Sequence, residues 1–144
     1  MMTIQNIDAE QTYQMRLDIL RDGVDLPVVF SGDTDIDTFH LGLFDEDELK
    51  GIASFMKTTN VLFDKEQYQL RGMATTEDAR GKGYGKLLLH SAFDLLQEKQ
   101  VRVLWCNARA EALAFYLKLG FLQLGEKFEI KEIGDHYTLF KKIS

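Results

Sequence analysis

The segment that most limits how this chain can fold runs from Gln67 to Cys106. Gln67–Thr75 reads as a strand, and a glycine-rich stretch, Arg80–Gly85, follows and opens into a helix over about Tyr84–Lys99. Tyr84, Leu88, Ala92 and Leu95 recur at spacings of four, four and three, with Leu89, Phe93 and Leu96 beside them. Val101–Cys106 is then the β-branched, apolar run of a buried central strand. Strand, helix and strand in immediate succession call for one right-handed parallel crossover. Everything else in the fold has to be arranged around that unit.

The flanking segments supply the rest of a sheet. Thr3–Ile7 reads as a short strand, after which Asp8 can cap a helix over about Ala9–Arg21, its apolar face made by Tyr13, Leu17 and Leu20. Gly23–Asp37 is loop-like. Thr38–Phe44 and Leu49–Thr59 are strands joined by a polar hairpin turn at Asp45–Glu48. Glu111–Leu119 is a shorter helix stopped by Gly120, and Phe121–Ile130 and His136–Ile143 form a last strand pair turning near Gly134. The order predicts a single domain over 1–144 of α/β or α+β type. Its length of 144 residues suffices for one core and not for two.

Charge narrows the function. Acidic residues number 23 and basic residues 17, a formal charge of 17 − 23 = −6. Such a chain is a poor general binder of nucleic acid or of anionic membranes, so any anion site must be a local concentration of positive groups. No apolar stretch approaches the ~20 residues that a bilayer span requires. Met1–Ile7 has no signal-peptide pattern. The single cysteine, Cys106, excludes an intramolecular disulfide, and a cytoplasmic location is the expectation.

The local concentration of charge is the glycine-rich stretch. Arg80, Lys82 and Lys86 fall within seven residues of one another, among Gly81, Gly83 and Gly85. Glycines let main-chain N–H groups approach a ligand closely. The unpaired N–H groups of a helix's first turn suit an anion, and a pyrophosphate is the natural occupant. Known nucleotide signatures fail here. The dinucleotide fingerprint would need Gly where Lys86 or Leu88 stands. The triphosphate loop would need Gly at Arg80 and Ser or Thr at Leu87.

Arg80-x-x-Gly83-x-Gly85 after a strand instead resembles the (Gln/Arg)-x-x-Gly-x-(Gly/Ala) motif of the GNAT N-acetyltransferase superfamily. The preceding strand, Leu70-Arg71-Gly72-Met73-Ala74-Thr75, stands at the family's spacing. Leu104–Arg109 and Ala114–Phe121 extend the similarity, which covers about Gln67 to Phe121.

The resemblance implies a mixed central sheet of about six to seven strands with helices on both faces. It implies acetyl transfer from acetyl-CoA, a cosubstrate, to an amine by direct attack, with no metal. Carried over, Arg80, Gly81, Lys82, Gly83, Tyr84, Gly85 and Lys86 hold the pyrophosphate through main-chain N–H groups. Met73, Ala74 and Thr75 pair with the pantetheine arm, and Asn107, placed after the next strand, bonds that arm. Tyr116 matches the general acid that protonates the departing thiolate. A neutral phenol is a competent donor at neutral pH, with a reference pKa of ~10 close to that of a thiol. By spacing alone Tyr116, at i+4 from Ala112 and beside Phe115, reads instead as a core aromatic of an amphipathic helix, and the resemblance reverses that reading.

The base is open. The position where some relatives carry a glutamate is Gln69, and no carboxylate lies between Gln67 and Thr76. Glu77 and Asp78 read as loop caps, His40 as structural, and a base acting through water stands beside them. The acidic groups of Asp22–Asp37 and Asp45–Glu48 read as a solvated loop and turn, the alternative being attraction of cationic amines. Cys106 and Trp105 read as core, and Arg102-x-x-Trp105 lacks the basic face of a nucleic-acid site. A non-catalytic acyl-CoA-binding or regulatory module on the same fold is the competing function. The acceptor and the oligomeric state, a homodimer through edge strands included, are left open by the sequence.

Overall fold

The computed structural model describes residues 1–63 and 65–143. Seven strands form one sheet: β1 (Met2–Ile7), β2 (Phe39–Asp45), β3 (Glu48–Met56), β4 (Gln67–Thr75), β5 (Val103–Arg109), β6 (Leu122–Ile130) and β7 (Gly134–Lys142). Their spatial order is β1-β2-β3-β4-β5-β7-β6. Every neighbouring pair is antiparallel except β4 and β5. That exception is the predicted crossover, made by helix α2 (Tyr84–Glu98). The two-residue turn between β2 and β3 has positive φ at both Glu46 (51°) and Asp47 (67°), the hairpin geometry whose twist matches that of its strands.

The two faces of the sheet follow from the period of two. On β2 and β3, Leu41, Leu43, Ala53 and Phe55 point to the face covered by α2, where Leu88, Leu89, Ala92 and Leu96 are fully buried. This is the main core, and the predicted helical stripe supplies it. His40, Ile52 and Ser54 point the other way, toward the N-terminal helix.

That helix corrects the sequence reading. It is regular only over α1 (Glu10–Met15) and continues as a π-type turn, Arg16–Leu20, closed by Arg21 N–H donating to the Arg16 carbonyl at 3.0 Å. Asp8 does not cap it with its side chain. Instead the Asp8 N–H donates to Gln11 Oε1 at 2.8 Å. The wider turn rotates the following residues off a 3.6-residue period. Leu17, expected inside, is 51% exposed, and Arg16 is fully buried in its place.

Arg16 is accommodated by a polar network that engages both terminal nitrogens and leaves its buried Nε without a partner among the described residues. Its Nη1 and Nη2 donate to Asp33 Oδ2 and Oδ1 at 2.7 and 2.9 Å, a bidentate pair. Nη1 also donates to the Val28 carbonyl and Nη2 to Ser54 Oγ. His40 completes the circuit. Its Nε2–H donates to the Asp33 carbonyl at 2.9 Å, leaving Nδ1 to accept from the Ser54 hydroxyl at 2.6 Å. His40 is therefore a structural residue with both ring nitrogens engaged. Asp33, expected in a solvated loop, is buried instead, because Arg16 and the Phe30 N–H satisfy its carboxylate.

The third helix, α3 (Leu113–Lys118), is preceded by a 3₁₀ turn at Ala110–Ala112, shortening the predicted Glu111–Leu119. The strand expected at Val101–Cys106 runs to Arg109, so Asn107 lies within β5 rather than after it.

Candidate active site

The site begins where the parallel ladder stops. β4 and β5 pair only at Gln67–Val103, Tyr68–Leu104 and Gln69–Trp105. Beyond these, β4 stays with β3 to Thr75 and β5 stays with β7 to Arg109. The sheet is therefore open in its middle between two strands that are each held from the far side.

A bulge in β4 shapes one edge of this opening. Ile52 pairs with Ala74 and Ser54 with Arg71, so β4 carries one more residue than β3 across that interval. The extra residue is accommodated at Gly72, whose φ is +61°. A Cβ there would lie 2.9 Å from the Phe30 ring and 3.2 Å from Arg16 Nε. Gly72→Ala combines left-handed strain with that clash, and we expect a loss of ~1–3 kcal/mol of stability in urea denaturation.

Two cavities occupy the opening. The first, of about 520 Å³, is lined by Met73, Ala74 and Thr75 of β4, by Arg80, Gly81, Gly83, Gly85 and Lys86, and by Phe115 and Tyr116. Gly81 and Gly83 have φ of +81° and +79°, and a Cβ at either would meet nothing within 4 Å. Among the described residues no side chain caps α2, its first turn holds no acidic residue, and its leading N–H groups are unengaged. The loop is thus a cradle of main-chain donors with open space in front of it. Gly85 serves close packing instead, since a Cβ there would lie 2.8 Å from Met73 Cε.

The predicted residues divide as follows. Met73, Ala74, Thr75, Arg80, Gly81, Gly83, Tyr84, Gly85, Lys86 and Tyr116 all line this first cavity. Tyr84 turns its ring into the core and donates its hydroxyl to the Asp45 carboxylate, so its side chain is structural. Lys82 is exposed and belongs to a separate recess with Asp45, Lys50 and Asp78. Asn107 lines the second cavity, where its Oδ1 accepts from Thr138 Oγ at 2.8 Å.

The second cavity, of about 330 Å³, lies on the other side of Tyr116. Met73, Ala112 and Tyr116 border both spaces, so the two meet there. Tyr116 is 7% exposed, and its hydroxyl has one weak partner, Met73 Sδ at 3.7 Å. Burial, with a smaller contribution from Cys106, pushes this phenol well above its ordinary range. It therefore keeps its proton at neutral pH. The same burial weakens it as an acid, so its acidity no longer matches that of a free thiol. A thiolate formed against the same dry wall would also bind a proton more tightly. Burial likewise raises the Cys106 thiol to about 12, which leaves it unsuited to act as a nucleophile.

His136 was not singled out from the sequence. It sits opposite Arg109 in the β5–β7 ladder, is 4% exposed, and lines the second cavity. Its Nδ1–H donates to the Gly134 carbonyl at 2.8 Å, which leaves Nε2 as an acceptor without a partner among the described residues. Only the strand register could have revealed it. Glu77 and Asp78 stand on the loop's outer side, where Lys50 pairs with Asp78 at 2.8 Å, and neither lines the cavities at Tyr116.

Known proteins share this fold. The sequence profile of the Acetyltransferase (GNAT) family matches residues 4–121. The uncharacterized N-acetyltransferase YitI of Bacillus subtilis (strain 168) is 37% identical over 145 residues, covering 99% of this chain and 97% of that protein. The crystal structure of Escherichia coli ElaA superposes with a TM-score of 0.82 at 18% identity, over 98% of this chain and 99% of that one. An aminoglycoside 6'-N-acetyltransferase complexed with coenzyme A superposes with a TM-score of 0.80 at 12% identity, over 99% and 97% of the two chains.

Proposed function

The chain belongs to the GNAT acetyltransferase family, and from that premise we propose that it moves an acetyl group from acetyl-CoA to an amine by direct attack within the opening between β4 and β5. The observation that carries this reading is the meeting of two cavities at Tyr116 and Met73. One cavity is fitted to a pyrophosphate and an extended arm, the other to an acceptor. Acyl transfer requires two such spaces sharing one wall.

The residues present fit the coenzyme. Gly81 and Gly83 leave room for phosphate oxygens, and the unengaged N–H groups of α2 with Arg80 and Lys86 supply the positive field. The main-chain groups of Met73, Ala74 and Thr75 face the opening left by the missing β5 partner, as an arm that pairs like a strand would need. Asn107, on the opposite edge, lines the second cavity and would meet the arm only where the two spaces join. Bound acetyl-CoA supplies the activated acyl group.

The chain's own groups would do the rest. Tyr116 holds a proton at Oη beside the shared wall, where a leaving sulfur needs one. His136 presents Nε2 to the second cavity as the candidate base for an incoming ammonium, oriented by Gly134. We expect His136→Asn to lower kcat/KM for the acceptor by ~10²-fold while acetyl-CoA affinity, read by titration, stays unchanged.

The test of function is thiol release from acetyl-CoA in the presence of a broad amine panel, with mass spectrometry of the amines. Amine-dependent release matched by a 42-Da gain on an acceptor (about the mass of an acetyl group replacing hydrogen) is the expected result. Coenzyme bound but never turned over would favour a binding module instead.

A further inference from the structure

The second cavity is lined by three arginines and no carboxylate. Arg21 comes from the end of the π-type turn, Arg71 from β4 just before the bulge, and Arg109 from the end of β5. Each is half-buried. None has a carboxylate partner among the described residues, in a chain whose net charge is −6.

Packing alone accounts for only part of this. Arg71 and Arg21 stack on the Phe30 ring, at 4.5 and 5.4 Å from its centroid, and Arg16 lies at 3.8 Å. Arg16 is neutralised by Asp33, whereas Arg21, Arg71 and Arg109 are not. Main-chain carbonyls hold them in place. Arg109 Nη2 donates to Leu20 at 2.7 Å, Arg21 Nε to Pro27 at 3.1 Å, and Arg71 Nη1 to Ser31 at 3.4 Å. A guanidinium has five N–H donors, so each keeps most of its fork available. Burial, and then the charges of Arg109, Arg71 and Arg16, push the Arg21 guanidinium below its ordinary range. Three like charges collected around one concave space are unfavourable until an anion enters it.

No acidic residue of Asp22–Asp37 or Asp45–Glu48 lines this cavity. Asp33 is consumed by Arg16, and Asp45–Glu48 lies at the β2–β3 turn by Lys50.

We propose that the acceptor is a small amine that also carries an oxyanion, a carboxylate or a phosphate, held by Arg21, Arg71 and Arg109 while its amine faces Tyr116 and His136. This deepens the acetyl-transfer reading and rests on it. The volume, about 330 Å³, is at the lower end for small-ligand sites, which suits an amino-acid-sized molecule. Leu20, Phe30, Ile130 and Ile133 give the same cavity an apolar lining for the remainder of such a molecule.

The test uses the whole protein saturated with coenzyme A and titrated calorimetrically with four probe sets. These are the common amino acids, their amides, 2-aminoethyl phosphate and propylamine. At least one anionic amine should bind ~10-fold or more tighter than its neutral counterpart, and its affinity should fall as salt is raised. Preference for amino acids over 2-aminoethyl phosphate identifies a carboxylate, and the reverse identifies a phosphate. Arg71→Gln and Arg109→Gln should each lower that affinity by ~10- to 100-fold, with coenzyme affinity and thermal midpoint kept. Arg71→Lys, which keeps the charge and loses the fork, should fall between. Amides or propylamine binding as tightly as the acids, or no probe binding to protein that does bind coenzyme A, would overturn the anionic acceptor. Failure to bind coenzyme A at all would overturn the parent reading instead, and the acid-versus-amide comparison on coenzyme-free protein would still decide the arginine site.

Discussion

Replacing Tyr116 by phenylalanine should lower kcat by ~10²- to 10⁴-fold and leave the dissociation constant for acetyl-CoA nearly unchanged. The hydroxyl is a polar side-chain group on the wall that both cavities share, and among the described residues its partner is a thioether sulfur. A thioether is a weak acceptor, so the fold has little use for the hydroxyl. The ring is different. It packs against Phe115 and Phe121 with centroids 5.1 and 5.2 Å away, and phenylalanine preserves both contacts. Loss of turnover in a variant with unchanged thermal midpoint and coenzyme affinity would isolate the proton. Equal turnover by Tyr116→Phe would remove it from the acid role and leave a core aromatic.

Asp33→Asn should destabilise the fold by ~3–5 kcal/mol, because it leaves the fully buried Arg16 guanidinium without its counter-charge. That is a large share of the 5–15 kcal/mol typical of a domain, and a fall in Tm on the order of 10 °C is expected. The pH dependence has a defined sign. Burial alone would raise the Asp33 carboxyl, but its bonds from Arg16 and the Phe30 N–H outweigh this and hold it below the ordinary carboxylate range. A depressed carboxyl stabilises in full above its unfolded value of ~3.9 and loses that contribution as pH falls through the folded value. Urea midpoints of wild type and Asp33→Asn should therefore differ most at neutral pH and converge in acid. The acceptor wall should loosen with the same variant, since the turn that Arg16 anchors carries Leu20 and Arg21 into the second cavity.

What the sequence made legible, and what it hid, divides by the range of the interactions. Helix α2 and its loop were readable because both signals are local: a four-and-three apolar period, and glycines where φ must be positive. The hairpin turn at Glu46–Asp47 was readable for the same reason. Arg16 and Asp33 were not. They stand seventeen positions apart, and the π-type turn that carries Arg16 inward breaks the period that predicts a buried Leu17. Asn107 was placed past a strand that continues, because Asn107–Arg109 lack the apolar character of Val103–Cys106 while β7 still pairs with them.

The acceptor side was the least legible. His136, Arg21, Arg71 and Arg109 come from four segments, brought to one space by the register of β5 on β7, the bulge at Gly72 and the π-type turn. Net charge carries no information here, since an acidic chain can still collect arginines around one space. The charges that matter are those left unpaired after folding, and pairing is a tertiary property.

The claim that the Gly81–Lys86 loop and the cavity behind it receive acetyl-CoA is tested most directly by calorimetric titration of the purified protein with acetyl-CoA, beside a Gly83→Glu variant. Glutamate at Gly83 would set a carboxylate and a left-handed side chain in the space in front of α2. One-to-one binding in the micromolar range by the wild type, abolished in a variant with an unchanged circular dichroism spectrum, is the predicted result. A well-folded wild type that takes up no acetyl-CoA, or a variant that binds it equally well, would contradict the account.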